Sequence, residues 1–307
     1  MISDAMVHRF LKDFSISLPV ERKEFLDYYL ETFDSYFDMK NKFDIFMKCR
    51  SYFANDEHFY TYRNRVVEQI LSYIESHKKY IEFNNCNCKF DEGLLTTKLH
   101  NRDIFNLENV GKTFLSIDLV SGNFTAMKHF DKDLVKHAET WKEFMHIFSE
   151  FDYFAEAKHF RQVLLGKLNP KRIMRYERLL LERDILKFII DDDKNNLKLE
   201  HIVSHNYDEI IFEVDKDFDE CSVNVPESYK NDVHIEKFVL ENITPYKMFI
   251  KRNGTKMKFK CVNSKLFPQV YKHVMGLPLH EKDMYFISDT GHLSKYIEKL
   301  KFEEEES

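Results

Sequence analysis

The chain contains few of the residues that interrupt regular structure. Only 7 of its 307 residues are glycine and 6 are proline, and so few breakers favour long helices. The five cysteines are odd in number and scattered along the sequence, which does not form a disulfide framework. We therefore expect free thiols in a reducing intracellular compartment, either the cytoplasm or, for a viral protein, the cytoplasm or nucleus of the host.

Several segments and motifs that define common protein classes are also missing. No apolar run approaches 18 residues, so no membrane span is predicted, and the first residues lack the basic start and apolar core of a signal peptide. There is no Gly-x-Ser-x-Gly motif, no Gly-x-x-x-x-Gly-Lys phosphate loop and no Rossmann glycine pattern. These absences argue against a serine hydrolase, a phosphate-loop ATPase and a dehydrogenase.

What the sequence does contain indicates a folded chain with an aromatic core. Hydrophobic residues make up 43% and charged residues 32%, with 29 Phe and 16 Tyr, so a buried core is expected and long disorder is not. The formal net charge of −6 excludes a protein that is basic throughout, but a local basic face could still bind nucleic acid. The many Lys, Asn, Ile and Phe suit an AT-rich genome, such as that of a virus or phage.

Hydrophobic spacing predicts helices first and a mixed region afterwards. Residues 1–80 repeat apolar positions at helical intervals. Runs of β-branched and aromatic residues predict strands at 80–83, 87–90, 114–117, 202–204, 210–212, 246–250, 256–262 and 284–287. Further helices are predicted at 123–129, 141–148, 152–168, 170–190, 232–240, 267–275 and 293–300. The pattern predicts an α+β fold with a helical domain at 1–80, a mixed domain with antiparallel hairpins at 81–277 and a C-terminal strand–helix extension with an acidic tail at 278–307.

The most informative stretch runs from His201 to Val214. Two strand-forming runs flank the polar tip Asn206–Glu209, which predicts a β-hairpin. Asp208 and Glu209 are adjacent acids at this tip, and such carboxylates repel each other unless a cation lies nearby. Asp118, at the end of the predicted strand 114–117, could face them. Carboxylate oxygens are the ligands that hard divalent cations take, with substrate phosphates completing the set.

Two short motifs resemble the palm domain of template-dependent polymerases. The segment His205-Asn-Tyr-Asp208-Glu209-Ile-Ile-Phe-Glu-Val is similar to the third palm motif of family A DNA polymerases and to the Tyr-x-Asp-Asp hairpin of reverse transcriptases. The segment Ser116-Ile-Asp118-Leu-Val-Ser-Gly-Asn123-Phe124 is similar to their first motif. The order also matches, with a strand ending in Asp, then helices, then a hairpin with Asp-Glu at its tip. The resemblance implies that the mixed domain is palm-like.

The same resemblance implies a metal-dependent nucleotidyltransferase or polymerase-like enzyme acting on nucleic acid. Asp118 and Asp208 would ligate Mg²⁺ or Mn²⁺, with Glu209 assisting, because two such ions stabilise the attacking and leaving oxygens of nucleotidyl transfer. Nucleic acid and a nucleoside triphosphate are the implied partners, and the sequence does not define the oligomeric state. Basic side chains between the two acidic elements would hold the triphosphate, namely Arg161, Lys167, Lys171 and Arg175.

The sequence departs from the family pattern in two respects. Asn123 stands five residues after Asp118, where those families usually carry Glu or an aromatic residue that screens the sugar. The Lys-and-Tyr-Gly helix of family A has no good match. A degenerate palm without activity, serving as a viral or phage binding or assembly protein, is therefore an alternative function. A metal-dependent nuclease that uses the same acids is a second alternative.

The charged candidates also have an ordinary structural interpretation. Acids at strand ends and turns are usually solvated. The basic residues could form a solvated helix face with acidic ion-pair partners, namely Glu177, Glu182 and Asp184. Four basic residues of the helical part could touch phosphates, although exposed helix charge is the commoner explanation, namely Arg63, Arg65, Lys78 and Lys79.

A zinc site is a weaker hypothesis than a magnesium site. His201 and His205 lie four residues apart, but zinc would require at least one more ligand, such as His234 or Cys221. Histidines in this position more often hydrogen-bond within the fold. We therefore favour Mg²⁺ or Mn²⁺.

Overall fold

The computed structural model describes residues 2–85 and 104–302. A helical N-terminal half precedes a sheet-rich C-terminal part with a six-stranded antiparallel sheet. The predicted α+β class is therefore confirmed.

The elements follow one another along the chain with these bounds. The helices are α1 Asp4–Asp13, α2 Lys23–Thr32, α3 Asp34–Phe37, α4 Met39–Ser51, α5 Asp56–Ser76, α6 Lys78–Asn85, α7 Gly122–Phe130, α8 Trp141–His146, α9 Asp152–Glu156, α10 Lys158–Gly166, α11 Pro170–Leu179, α12 Lys187–Asp191 and α13 Phe267–Val274. A π-helical stretch, Leu180–Leu186, joins α11 to α12. The strands are β1 Thr113–Leu119, β2 Ile202–His205, β3 Glu209–Val214, β4 Val233–Asn242, β5 Phe249–Asn253, β6 Lys256–Lys260, β7 Tyr285–Ile287 and β8 Leu293–Lys295.

The chain groups into two compact units, each built from separate stretches of sequence. We call residues 1–74, 139–167 and 262–307 the helical unit, and residues 75–138 and 168–261 the sheet unit. This grouping differs from the consecutive ranges predicted above, because it follows contacts between stretches that lie far apart in sequence. The boundaries at 80 and 277 stay predictions.

The sheet unit is organised around β1. The strand order is β2-β3-β1-β4-β5-β6, and each strand is antiparallel to its neighbours. On one face of β1, Leu115 and Ile117 pack in a cluster with Ile185, and on the other face Phe114 packs against Phe238. Burying each such side chain stabilises the fold by about 1.5–3 kcal/mol. The end of β1, where Asp118 lies, is thus fixed by packing on both faces.

The helical unit has the aromatic core that the composition predicts. Phe10, Phe46, Phe59 and Tyr153 are fully buried. Their rings meet at tilted or edge-on angles, with centroids 5.6 Å apart for Phe10 and Phe46 and 5.7 Å apart for Phe59 and Tyr153. Such geometry is favoured by the quadrupoles of the rings.

Local residue types explain one turn and two helix caps. Gly254 adopts a φ of +56° between β5 and β6, a conformation that glycine accepts without steric cost. The hydroxyl of Thr140 accepts the backbone N–H of Glu143 at the start of α8. Asn169 caps α11, with Pro170 at its first position.

Three predicted elements are wrong. Residues 80–83 belong to α6 and not to a strand, because the three-residue spacing of Tyr80 and Phe83 buries both rings on one helix. Residues 233–242 form β4 and not a helix, because pairing with β1 and β5 buries the alternating side chains of Phe238 and Leu240. The helix predicted at 293–300 is replaced by β8, which pairs with β7, and residues 296–302 contain no helix. Pairing with a partner strand has overridden the local helical pattern.

One further prediction is partly confirmed and two fall outside the described residues. The helix predicted at 152–168 is interrupted at Ala157, which separates α9 from α10. The strand at 87–90 and the acidic tail at 303–306 lie outside the described residues.

Candidate carboxylate site

The end of β1 and the tip of the β2–β3 hairpin lie side by side in the sheet unit. Asp118 is paired with Glu209 in the register of β1 and β3. The backbone N–H of Leu119 donates to the carbonyl of Asp208 at 2.8 Å, and that of Asn206 donates to the carbonyl of Glu209 at 2.8 Å, which closes the hairpin. The two acidic elements that the sequence singled out are therefore adjacent.

A glycine just after Asp118 allows a third acid to approach. The helix α7 begins at Gly122. A Cβ atom at this position would lie 3.1 Å from Oε1 of Glu177 and 3.5 Å from Cβ of Asp208. Since the first of these distances is tighter than ordinary van der Waals contact between carbon and oxygen, the absence of a side chain at Gly122 leaves the space that the Glu177 carboxylate uses. Glu177 and Asp208 thus meet at the N-terminal end of α7.

Glu177 is a buried acid whose electrostatic surroundings oppose its ionisation. Only 4% of the residue is exposed. Burial raises the pKa of Glu177 from 4.5 to about 7, with further upward contributions from Asp208 and Asp118. Asp118 and Asp208 therefore both lie within electrostatic reach of Glu177, and we call these three residues the carboxylate site.

The neighbouring acid Glu182 shows how this chain neutralises a buried carboxylate. Its Oε1 accepts a hydrogen bond from Nε of Arg178 at 2.6 Å and lies 3.0 Å from Nε2 of His205. Burial raises the pKa of Glu182, but the contacts with His205 and Arg178 outweigh burial, so that its pKa lies below the usual value. Two buried acids five residues apart thus have opposite surroundings, basic for Glu182 and acidic for Glu177.

The sequence interpretation missed Glu177, which it treated as a solvated ion-pair partner. A signal was present, because Ile173, Glu177 and Leu181 are spaced four residues apart and therefore lie along one side of the helix. Ile173 and Leu181 are fully buried. An acid in the middle of an apolar stripe predicts a buried carboxylate.

Glu209, predicted to assist metal binding, is held by other protein groups. Its Oε1 accepts a hydrogen bond from the hydroxyl of Ser116 at 2.6 Å and another from Nζ of Lys251 at 3.4 Å. Lys251 is itself buried, and its Nζ lies 4.3 Å from the ring centroid of Phe238. These contacts occupy one carboxylate oxygen of Glu209 and fix its direction on the sheet.

The basic residues predicted to hold a triphosphate lie on or directly after two different helices. Lys171 and Arg175 are exposed on α11. At about 100° of rotation per residue, Glu177 is turned roughly 200° away from Arg175 on the same helix. Arg161 and Lys167 belong to the helical unit, where burial lowers the pKa of Arg161.

The described part of the chain contains no preformed set of three metal ligands. Among residues 2–85 and 104–302, no three His, Cys, Asp or Glu side chains are arranged as ligands of one ion. The zinc candidates are included in this result, and the ring of His205 contacts Glu182. The result also applies to the carboxylate site as it stands.

The donor chemistry of the carboxylate site nevertheless fits a hard cation. Asp118, Asp208 and Glu177 offer only oxygen atoms, which suit Mg²⁺ or Mn²⁺ and not a soft metal. Mg²⁺ is usually held by one or two carboxylates together with waters and substrate phosphates, and it does not need an all-protein cage. A bound divalent cation would offset the repulsion that Asp118 and Asp208 exert on the Glu177 carboxylate.

Comparisons of the chain with protein-family models, with curated proteins and with solved structures gave no match. Among the described residues, no helix is both long and apolar enough to cross a membrane.

Proposed function

We propose that the chain is a metal-dependent nucleotidyltransferase that acts on nucleic acid. The observation that supports this most directly is the convergence of Asp118 and Asp208 on the buried Glu177. A buried acid that only stabilised the fold would be expected to have basic partners, as Glu182 has. A cluster of acids in which burial and neighbouring negative charges raise a pKa is typical of a functional site, such as one that binds a cation.

In this proposal each acidic residue has a defined task. Asp118 and Asp208 hold Mg²⁺ or Mn²⁺, and Glu177 provides a further oxygen donor behind them. Bound divalent ions supply charge stabilisation for the attacking and leaving oxygens of phosphoryl transfer. Glu209 is a positioning residue, because its hydrogen bonds with Ser116 and Lys251 hold the hairpin tip that carries Asp208.

The order of these elements supports a palm-like mechanism. A strand that ends in an acid lies beside a hairpin with an acid at its tip, as the resemblance to polymerases implies. The residues that would bind the triphosphate are predicted from the sequence alone, namely Arg161, Lys167, Lys171 and Arg175. Nucleic acid and a nucleoside triphosphate are the proposed partners.

Calorimetry with Mn²⁺ tests the proposal on the full chain, with and without a nucleoside triphosphate. We expect Asp118→Asn and Asp208→Asn each to weaken Mn²⁺ binding at least about tenfold, because each removes a charged ligand from the site. Asp217→Asn is the matched control, since Asp217 is an exposed acid of the same unit and its loss should leave binding unchanged. Thermal unfolding of each variant shows whether the fold is retained.

The triphosphate separates the possible outcomes. Mn²⁺ binding that depends on Asp208 and strengthens with the triphosphate supports nucleotidyl transfer, and incorporation of labelled nucleotide into a primer then measures the activity. Binding that is indifferent to the triphosphate, together with cleavage of the oligonucleotide, would replace the proposal by a nuclease. If folded wild-type protein binds neither Mn²⁺ nor Mg²⁺, the proposal fails and the binding or assembly protein becomes the better function.

A further inference from the structure

The helical unit contains two arginines that share a single buried carboxylate. Nη1 of Arg9, on α1, lies 3.4 Å from Oδ1 of Asp13, and Nη2 of Arg63, on α5, lies 3.7 Å from the same oxygen. The other oxygen of Asp13 accepts a hydrogen bond from the hydroxyl of Tyr153. Both arginine distances exceed the usual 2.7–3.2 Å of an N–H to oxygen hydrogen bond. Asp13 therefore accepts one long hydrogen bond, from Arg9, and makes only an ion-pair contact with Arg63.

The Nε donors of these two arginines are unused within the described chain. A guanidinium has five N–H donors in a fixed planar arrangement. The Nε atoms of Arg9 and Arg63 are buried and have no hydrogen-bond partner among the described residues. The Arg63 guanidinium lies 4.9 Å from the ring centroid of Phe160, and that of Arg9 lies 5.6 Å from that of Tyr60. Ring contacts of this kind orient a guanidinium, and hydrogen bonds with Tyr60 and Tyr153 use part of the donor sets of Arg9 and Arg63, respectively.

Positive charge is in excess around Asp13. Lys12 is exposed on α1, and the side chains of Arg9 and Arg63 are 22% and 13% exposed, so all three can be reached from solvent. Burial lowers the pKa of His159, on α10, Asp13 raises it, and Lys12, Arg9 and Arg63 lower it, which places this ring near Asp13 and the same cations. Three full positive charges thus surround one carboxylate.

We propose that Arg9 and Arg63, with Lys12 at the rim, form a binding site for a phosphate group. Under-satisfied buried donors indicate a missing partner such as an ion. Two guanidiniums and an excess of about two positive charges match a tetrahedral dianion, which offers several acceptor oxygens to planar N–H pairs. A monovalent carboxylate would leave one guanidinium unmatched. The site uses only residues of the helical unit and does not depend on the proposed nucleotidyl transfer.

Binding of phosphate compounds to the full chain in EDTA tests this site without a contribution from divalent ions. The probes are inorganic phosphate, pyrophosphate and a single-stranded thymidine oligonucleotide without terminal phosphates. We expect Arg63→Gln to weaken binding about tenfold or more, because a charged bidentate contact is lost. Arg65→Gln is the matched control. Arg65 is exposed on the same helix with its guanidinium 4.8 Å from the ring of Tyr62, and its loss should change binding less than about twofold.

A second variant keeps the test decisive if Arg63→Gln destabilises the fold. Lys12 is exposed, so Lys12→Gln removes charge at the rim without disturbing the core, and we expect a smaller but measurable loss of affinity. Binding of phosphate or pyrophosphate alone identifies a free phosphate compound as the ligand, whereas additional binding of the oligonucleotide identifies the nucleic-acid backbone. Failure of the wild-type protein to bind any of the three probes overturns the proposal. Equal losses from Arg63→Gln and Arg65→Gln overturn it as well.

Discussion

The contrast between Glu177 and Glu182 gives a prediction at the scale of single residues. The pKa of Glu177 is raised to about 7 in the folded chain, so the unfolded state, with a pKa near 4.5, loses this proton first. Stability from this group is therefore complete below about pH 4.5 and is lost as the pH rises through 7. A rise of the pKa from 4.5 to about 7 corresponds to about 3 kcal/mol of unfolding free energy. Glu177→Gln should remove this loss and stabilise the metal-free protein at pH 8 by up to about that amount.

Urea unfolding between pH 5 and 8 in EDTA measures this effect. Glu227→Gln is the control, since the side chain of Glu227 is 89% exposed and its replacement should change stability by less than about 0.5 kcal/mol. Glu182→Gln should act in the opposite direction, because it leaves Arg178 and His205 without their buried partner. A stability of Glu177→Gln that parallels the wild type across this pH range would contradict the raised pKa.

At the scale of elements, the sequence predicted the strands and turns that depend on residues close together in the chain. The hairpin at 202–214 and the strand ending at Asp118 are confirmed because alternating apolar residues and a polar tip act over a few positions. The strand β4 was predicted as a helix, since its pairing partner β1 lies more than a hundred residues earlier. The burial of Glu177 could have been predicted from the apolar stripe of its helix, but its acidic surroundings could not. The acids that raise its pKa further, Asp118 and Asp208, come from other parts of the chain.

The contact between Lys251 and Glu209 is a prediction about how β5 supports the hairpin. Lys251→Met alone leaves the Glu209 carboxylate with a weakened set of donors, and Glu209→Gln alone leaves a buried ammonium without its charge partner. The double variant should therefore be more stable than the sum of the two single effects by about 1–2 kcal/mol. The matched surface pair is Lys258 and Glu236, 2.8 Å apart with the Lys258 side chain 52% exposed. Its coupling should stay below about 1 kcal/mol.

Denaturant unfolding of the single and double variants of each pair measures both couplings. Loss of the Lys251 contact should also weaken Mn²⁺ binding, because Glu209 is the first residue of β3, directly after Asp208, and helps to hold the tip. Equal couplings for the two pairs would show that burial of Lys251 contributes nothing beyond an exposed ion pair. Unchanged Mn²⁺ affinity in Lys251→Met would remove Glu209 from the positioning role.

At the scale of the whole molecule, the net charge of −6 sets a condition on any nucleic-acid partner. A polyanion is repelled at long range by an acidic protein, so attraction has to come from local groups that outweigh this repulsion. The two proposed sites would provide it in different ways. The carboxylate site needs divalent cations to attract phosphate, whereas the arginines around Asp13 carry their positive charge permanently.

Oligonucleotide binding should therefore have two separable components. Asp208→Asn should abolish only the increase in affinity that Mn²⁺ produces, and Arg63→Gln should reduce only the affinity that remains in EDTA. Because the two sites are proposed to act independently, the free-energy losses should add in the double variant to within about 0.5 kcal/mol. Fluorescence anisotropy of a labelled single strand, with and without Mn²⁺, measures both components at one ionic strength, since phosphate contacts weaken steeply with salt. If Asp208→Asn also lowers the affinity in EDTA, the two sites are not independent, and the division of labour between them is wrong.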